Sequence, residues 1–177
     1  MDMNVKKRLG ELILDVPNFP KKGIIFKDIT PLLAEPGAIK EAARHMASAF
    51  EEKSIDYVAG LEARGFIIGP LVASILNIGF IPIRKSGKLP RATLRATYEL
   101  EYGIETLEIH KNSISKDKNN ILIVDDVLAT GGTAQAAANL VNQCGGNIVG
   151  YSFLIELQKL NGKQLLKDAQ TESLFIF

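Results

Sequence analysis

Ile121-Leu122-Ile123-Val124-Asp125-Asp126-Val127-Leu128-Ala129-Thr130-Gly131-Gly132-Thr133-Ala134 is the stretch whose reading decides the fold. Its four opening aliphatic residues read as a strand buried on both faces, the pattern of a central parallel strand. Two adjacent carboxylates stand where that strand is expected to end, and a loop with paired glycines and flanking threonines follows. Residues 135–141 continue as a helix. A strand, a tight loop and a helix N-terminus together make an anion site, because backbone N–H groups converge there and the helix dipole favours negative charge. Its expected place is the C-terminal edge of the sheet, where open α/β folds bind ligands.

The loop chemistry narrows the anion. Thr130 and Thr133 can donate hydroxyls to phosphate oxygens, and Gly131 and Gly132 let the backbone approach closely. The loop contains no lysine, which argues against a nucleoside-triphosphatase P-loop. Bare acids beside a phosphate cradle would repel the phosphate. Asp125 and Asp126 therefore either accept hydrogen bonds from vicinal sugar hydroxyls or hold Mg²⁺ through water. The implied ligand is a sugar phosphate.

The chain has 177 residues, 46% hydrophobic and 23% charged, which suits one globular domain with a sizeable core. Its net charge of +1, with acids and bases interspersed, supplies no attraction to nucleic acid or an anionic membrane. Cys144 is the only cysteine, so no intrachain disulfide forms, and His45 and His110 have no metal-ligand spacing. The first residues lack the apolar run of a signal peptide. Residues 65–83 carry no charge, but their glycines, prolines and Asn77 make them a buried helix, a turn and a strand rather than a membrane span. A cytoplasmic protein is expected.

Along the chain, apolar spacing predicts helices over residues 4–16, 36–53 and 66–76. Strands are expected at 57–61, 80–83, 121–124, 147–154 and 174–177, with an antiparallel ribbon at 96–102 and 105–110 flanking Gly103. The alternation from residue 36 to 155 predicts an α/β fold, a mainly parallel sheet with helices on both faces. Arg64 stands in a Gly-bounded loop directly after a buried strand, where a guanidinium fork suits phosphate. Arg84, Lys85 and Lys88 cluster around Gly87, either as a solvated turn or as a clamp on a polyanion.

These segments resemble the type I phosphoribosyltransferases. The 121–134 run is similar to their motif for 5-phosphoribosyl 1-pyrophosphate (PRPP). Residues 17–33, the run Gly60-Leu61-Glu62-Ala63-Arg64-Gly65-Phe66, the segment 83–90, the segment 98–103 and Glu156-Leu157 narrow the resemblance to the adenine phosphoribosyltransferases. It covers nearly the whole chain. It implies a single domain over 1–177, with a small hood built from about 1–33 plus the segment after 155, and a flap at about 89–105.

The resemblance also implies roles. Ala129, Thr130, Gly131, Gly132 and Thr133 would take the PRPP 5′-phosphate, and Asp125 and Asp126 the ribose hydroxyls. Glu62, Ala63, Arg64, Arg84, Lys85 and Lys88 would surround pyrophosphate, some of them across a homodimer interface, with a cis peptide between Glu62 and Ala63. Ile25, Phe26, Lys27 and Leu157 would hold adenine, Phe26 by stacking. Lys27 stands where a common family pattern has Arg. Glu101 would handle the purine proton, with Arg64 as the second catalytic group and Tyr102 in the lid. Mg²⁺ would be held mainly by PRPP, with Asp125 and Asp126 reaching it through water. The implied reaction is adenine plus PRPP giving AMP and pyrophosphate through an oxocarbenium-like transition state. The rivals are the same chemistry on hypoxanthine, guanine, xanthine or orotate, and a PRPP-sensing regulator. The second is disfavoured because no spare chain of helix-turn-helix size exists.

Overall fold

The computed structural model describes residues 3–100 and 103–177. Its frame is a seven-stranded sheet in the order β5-β6-β4-β3-β7-β8-β9. Strands β3 (Tyr57–Leu61), β4 (Gly79–Lys85), β7 (Asn120–Leu128), β8 (Asn147–Glu156) and β9 (Gln170–Ile176) run parallel. A β5 (Thr93–Leu100) and β6 (Gly103–His110) hairpin extends the β4 edge antiparallel. Helices cover both faces, as the alternation predicts.

The strand residues divide by parity. Val58, Leu122, Val124 and Leu154 face a core shared with α1 (Met3–Glu11), α3 (Ala38–Ser48) and α4 (Gly65–Leu76). Ala59, Ile121, Ile123, Tyr151 and Phe153 face the other core, with α5 (Gly132–Gln143). Successive strand side chains point to opposite faces, so a strand with apolar residues at every position must be covered twice. That cover fixes β7 at the middle of the molecule and brings its C-terminal end to the sheet edge where α5 begins.

Three differences from expectation bear on the site. The first helix stops at Glu11, and Leu14–Pro17 form β1, which pairs antiparallel with β2 (Ile25–Asp28) as a separate two-stranded sheet. A β-branched residue followed by Pro17 suits an edge strand better than a helix interior. The strand β7 does not end before the acids: it runs through Leu128, because Asp125, Val127 and Leu128 continue the ladder with β8. The segment after 155 divides. Residues Gln170–Ile176 form the edge strand of the main sheet instead of a hood, while Phe177 reaches the N-terminal hairpin by packing under Lys27 Nζ, 3.7 Å from the ring centroid.

The uncharged 65–83 stretch folds as α4, a turn at Asn77 and β4. Among the described residues no helix is long and apolar enough to cross a membrane.

Candidate active site

The C-terminal end of β7 opens on a cleft of about 400 Å³. Asp125 and Asp126 line it from β7, Ala129 from the following loop, Thr133 from the first turn of α5, Glu62, Ala63 and Arg64 from the loop after β3, Lys85 from the end of β4, and Tyr98 and Glu105 from the β5–β6 hairpin. Gly65 makes room for the first acid: a Cβ there would lie 2.8 Å from Asp125 Oδ1. Burial pushes the Asp125 carboxyl well above the usual range, and the adjacent Asp126 charge adds to the shift. Burial also raises Asp126, against the pull of the Arg64 guanidinium. Arg64 Nε lies 2.7 Å from Asp126 Oδ2. The contact is an ion pair without an aligned hydrogen bond, so the buried oxygen keeps capacity to accept one.

The loop after β7 presents α5 by its N-terminus. Gly131 is the N-cap at φ +87°, and no side chain caps the helix, so its first amides are free for an anion. A 3₁₀ turn at Gly162–Leu165 backs this loop, and a Cβ on Gly131 would lie 2.5 Å from the Gly162 carbonyl oxygen. Both positions must therefore be glycine for the loop to rest there.

Across the cleft, the Glu62–Ala63 peptide is cis, the form implied by the resemblance. Glu62 faces its own loop. It accepts hydrogen bonds from Arg84 Nε at 3.0 Å and Lys85 N at 3.2 Å, and Arg84 also donates to the Lys88 carbonyl at 3.1 Å. Glu108, only 1% exposed, holds the same basic turn by accepting from Ser86 Oγ at 2.8 Å and Gly87 N at 3.1 Å.

The N-terminal hairpin supplies an apolar pocket of about 270 Å³, lined by Val16, Phe19, Phe26 and Asp28. Phe19 meets Phe26 edge-on with centroids 5.2 Å apart, and the Arg64 guanidinium carbon sits 5.0 Å from the Phe26 centroid. Arg64 thus bridges the acid end and the aromatic end of the site.

A phosphoribosyl transferase domain model matches residues 28–173. An adenine phosphoribosyltransferase of Koribacter versatilis is 54% identical over 166 residues, 94% of this chain and 91% of that one. The crystal structure of adenine phosphoribosyltransferase from Rhodothermus marinus has a TM-score of 0.92 at 44% identity, covering 99% of this chain and 100% of that one. This chain belongs to the adenine phosphoribosyltransferases, enzymes of the type I phosphoribosyltransferase fold. The Saccharomyces cerevisiae enzyme of the same family, complexed with adenine and an imino-altritol bisphosphate, has a TM-score of 0.90 at 43% identity over 98% of this chain and 99% of that one.

Within this chain the cleft gathers Asp125, Asp126, Ala129, Thr133, Glu62, Ala63, Arg64 and Lys85 from the expected set. Thr130 and Gly131 line an adjoining recess behind the loop, and Gly132 begins α5. Lys88 is exposed and does not line the cleft, and Arg84 is held by Glu62. Ile25 is 55% exposed. Lys27 is turned aside, 2.5 Å from Asp15 Oδ1 and stacked on Phe177. Leu157 donates its N–H to Leu128 O at 2.9 Å, directly before the phosphate loop. Glu101 and Tyr102 lie outside the described residues.

Sequence reasoning missed Phe19, Tyr98, Glu105 and Gly162. A signal existed for Tyr98: the alternation Leu94, Ala96, Tyr98 places it on the inward face of β5. Nothing local marks Gly162, whose partner loop is about thirty residues earlier.

Proposed function

We propose that this chain catalyses adenine + PRPP → AMP + pyrophosphate in this cleft, with the following assignment of roles. The 5′-phosphate lies on the loop from Ala129 to Thr133 at the open N-terminus of α5. The ribose hydroxyls donate to Asp125 and Asp126, and the observation that carries the reading is this pair of buried adjacent carboxylates lining one cleft with the uncapped N-terminus of α5, an arrangement that suits a sugar phosphate. Pyrophosphate departs toward Arg64 and Lys85, supported by Glu62, Ala63 and Arg84. Lys88, exposed on its own chain, is suited to serve a partner's site in a homodimer.

Adenine stacks on Phe26, with Leu157, Ile25 and Lys27 around it, and attacks C1′ as positive charge develops there in an oxocarbenium-like transition state. Glu101 manages the purine proton, and Tyr102 packs in the lid. The β1–β2 sheet forms the body of the hood, and the segment 89–105 acts as the flap that excludes water. Catalysis comes from positioning and from stabilising the departing pyrophosphate, with no covalent intermediate.

Mg²⁺ fits this site as a substrate-borne ion. Among the described residues no three acids, histidines or cysteines converge into a cage for the ion. Two adjacent carboxylates suit a cation held mainly by PRPP oxygens and reached by Asp125 and Asp126 through water. When bound, Mg²⁺ screens the diphosphate charge. We assign the enzyme to purine salvage in the cytoplasm, without a nucleic-acid or membrane partner.

The test is AMP formation from PRPP and Mg²⁺ with adenine, run beside hypoxanthine, guanine, xanthine and orotate. Product with adenine alone supports both the reaction and the base. Product with another base overturns the roles of Phe26 and Leu157, and PRPP binding without turnover favours the sensor.

A further inference from the structure

Tyr98 and Glu105 stand directly opposite each other on β5 and β6. Tyr98 OH donates to Glu105 Oε2 at 3.0 Å and accepts from Thr133 Oγ1 at 3.3 Å. Glu105 also pairs with the Lys85 ammonium. One continuous chain of contacts therefore runs from the phosphate loop, through a hairpin, to the basic turn across the cleft. The pairing draws the Glu105 carboxyl below its ordinary range, first through its bond to Lys85. Burial raises the Tyr98 phenol, so it stays a neutral donor.

The proton count makes this chain exclusive of substrate. Thr133 has a single hydroxyl proton, which it cannot give to Tyr98 and to a phosphate oxygen together. The Lys85 charge, neutralised by Glu105, attracts a diphosphate less strongly than a bare ammonium. We infer that Tyr98 and Glu105 form a latch that occupies both phosphate-binding ends of the cleft in the free enzyme, and that PRPP opens it by taking Thr133 and Lys85. This rests on the assignment of the cleft to PRPP. The two ends are coupled, because Tyr98 and Glu105 share one hydrogen bond, and polar chains of this kind strengthen and weaken as a unit.

Both are positioning residues, and the signature of a latch is a gain on its removal. PRPP affinity is measured by titration calorimetry with Mg²⁺, and PRPP and adenine KM by AMP formation, for wild type, Tyr98→Phe, Glu105→Gln and the double variant. Each single variant is expected to bind PRPP about three- to tenfold more tightly and to lower its KM, with adenine KM unmoved. The double variant gains no more than the better single variant, because both cut the same chain. Unchanged or weaker PRPP binding in Tyr98→Phe and Glu105→Gln overturns the latch. A merely structural role would lower the melting temperature without selectively tightening one substrate, and that result overturns it too. Wild-type protein that neither binds PRPP nor makes AMP overturns the assignment of the cleft itself, and does so before any substitution is made.

Discussion

Arg64 is paired with Asp126 across the mouth of the cleft, its Nε 2.7 Å from Oδ2, with the guanidinium 37% exposed and the carboxylate 4%. The pair ties the loop after β3 to the end of β7, the two sides of the cleft proposed for pyrophosphate and for ribose. Because the arginine is more than a third exposed, solvent screens it and its value is geometric more than energetic.

Arg64→Lys keeps the charge and loses the planar fork. The expected result is a fall in kcat/KM for PRPP of about ten- to a hundredfold, with a smaller effect on adenine KM. Steady-state AMP formation with each substrate varied in turn measures the split. Equal losses for both substrates would contradict a pyrophosphate role.

Asp125→Asn is expected to stabilise the free protein while impairing it as an enzyme. The folded-state carboxyl titrates above its unfolded value, so the folded chain binds the proton more readily. Stability then falls as pH rises from the unfolded value toward the raised one, and stays lower above it. Asparagine removes that slope. Its melting temperature should exceed wild type at neutral pH, with the difference vanishing at about pH 4, while AMP formation drops.

Phe26→Ala removes the aromatic face of the apolar pocket. Stacking of a base on an aromatic ring is worth about 1–3 kcal/mol, so adenine KM should rise at least about fivefold with PRPP KM nearly constant. An unchanged adenine KM would move the base elsewhere.

Gly131→Ala combines a left-handed backbone with a clash against the Gly162 carbonyl. The backbone alone costs about 1–2 kcal/mol. Urea unfolding should show at least that loss, and PRPP KM should rise because the phosphate loop must move.

Residue pattern carried the sheet, its two covered faces and the strand–loop–helix turn after β7, because four consecutive apolar residues at Ile121 to Val124 suit a strand covered on both sides. It misplaced the end of that strand, since two charges look like a terminus until the β8 ladder is seen to continue through Asp125. It extended the first helix into Leu14–Pro17 because four residues of strand have no period distinct from a helix edge, and only pairing with β2 decides between them. The acids and Arg64 were legible from their loops. Tyr98 and Glu105 were not singled out, because only the hairpin register sets them opposite each other, and their outer partners Thr133 and Lys85 lie thirty-five and twenty positions away in the chain.

The contact between Gly131 and Gly162 also bears on how the enzyme is made. A ribosome that has translated through Thr133 has emitted the whole of this loop, yet not the Gly162 backbone against which it rests. The 3₁₀ turn at Gly162–Leu165 follows β8, so the nascent loop acquires its backing only when the next strand has been threaded beside β7. The competence proposed for this loop is in this sense a late event of synthesis, completed only after residues far downstream of the loop have emerged.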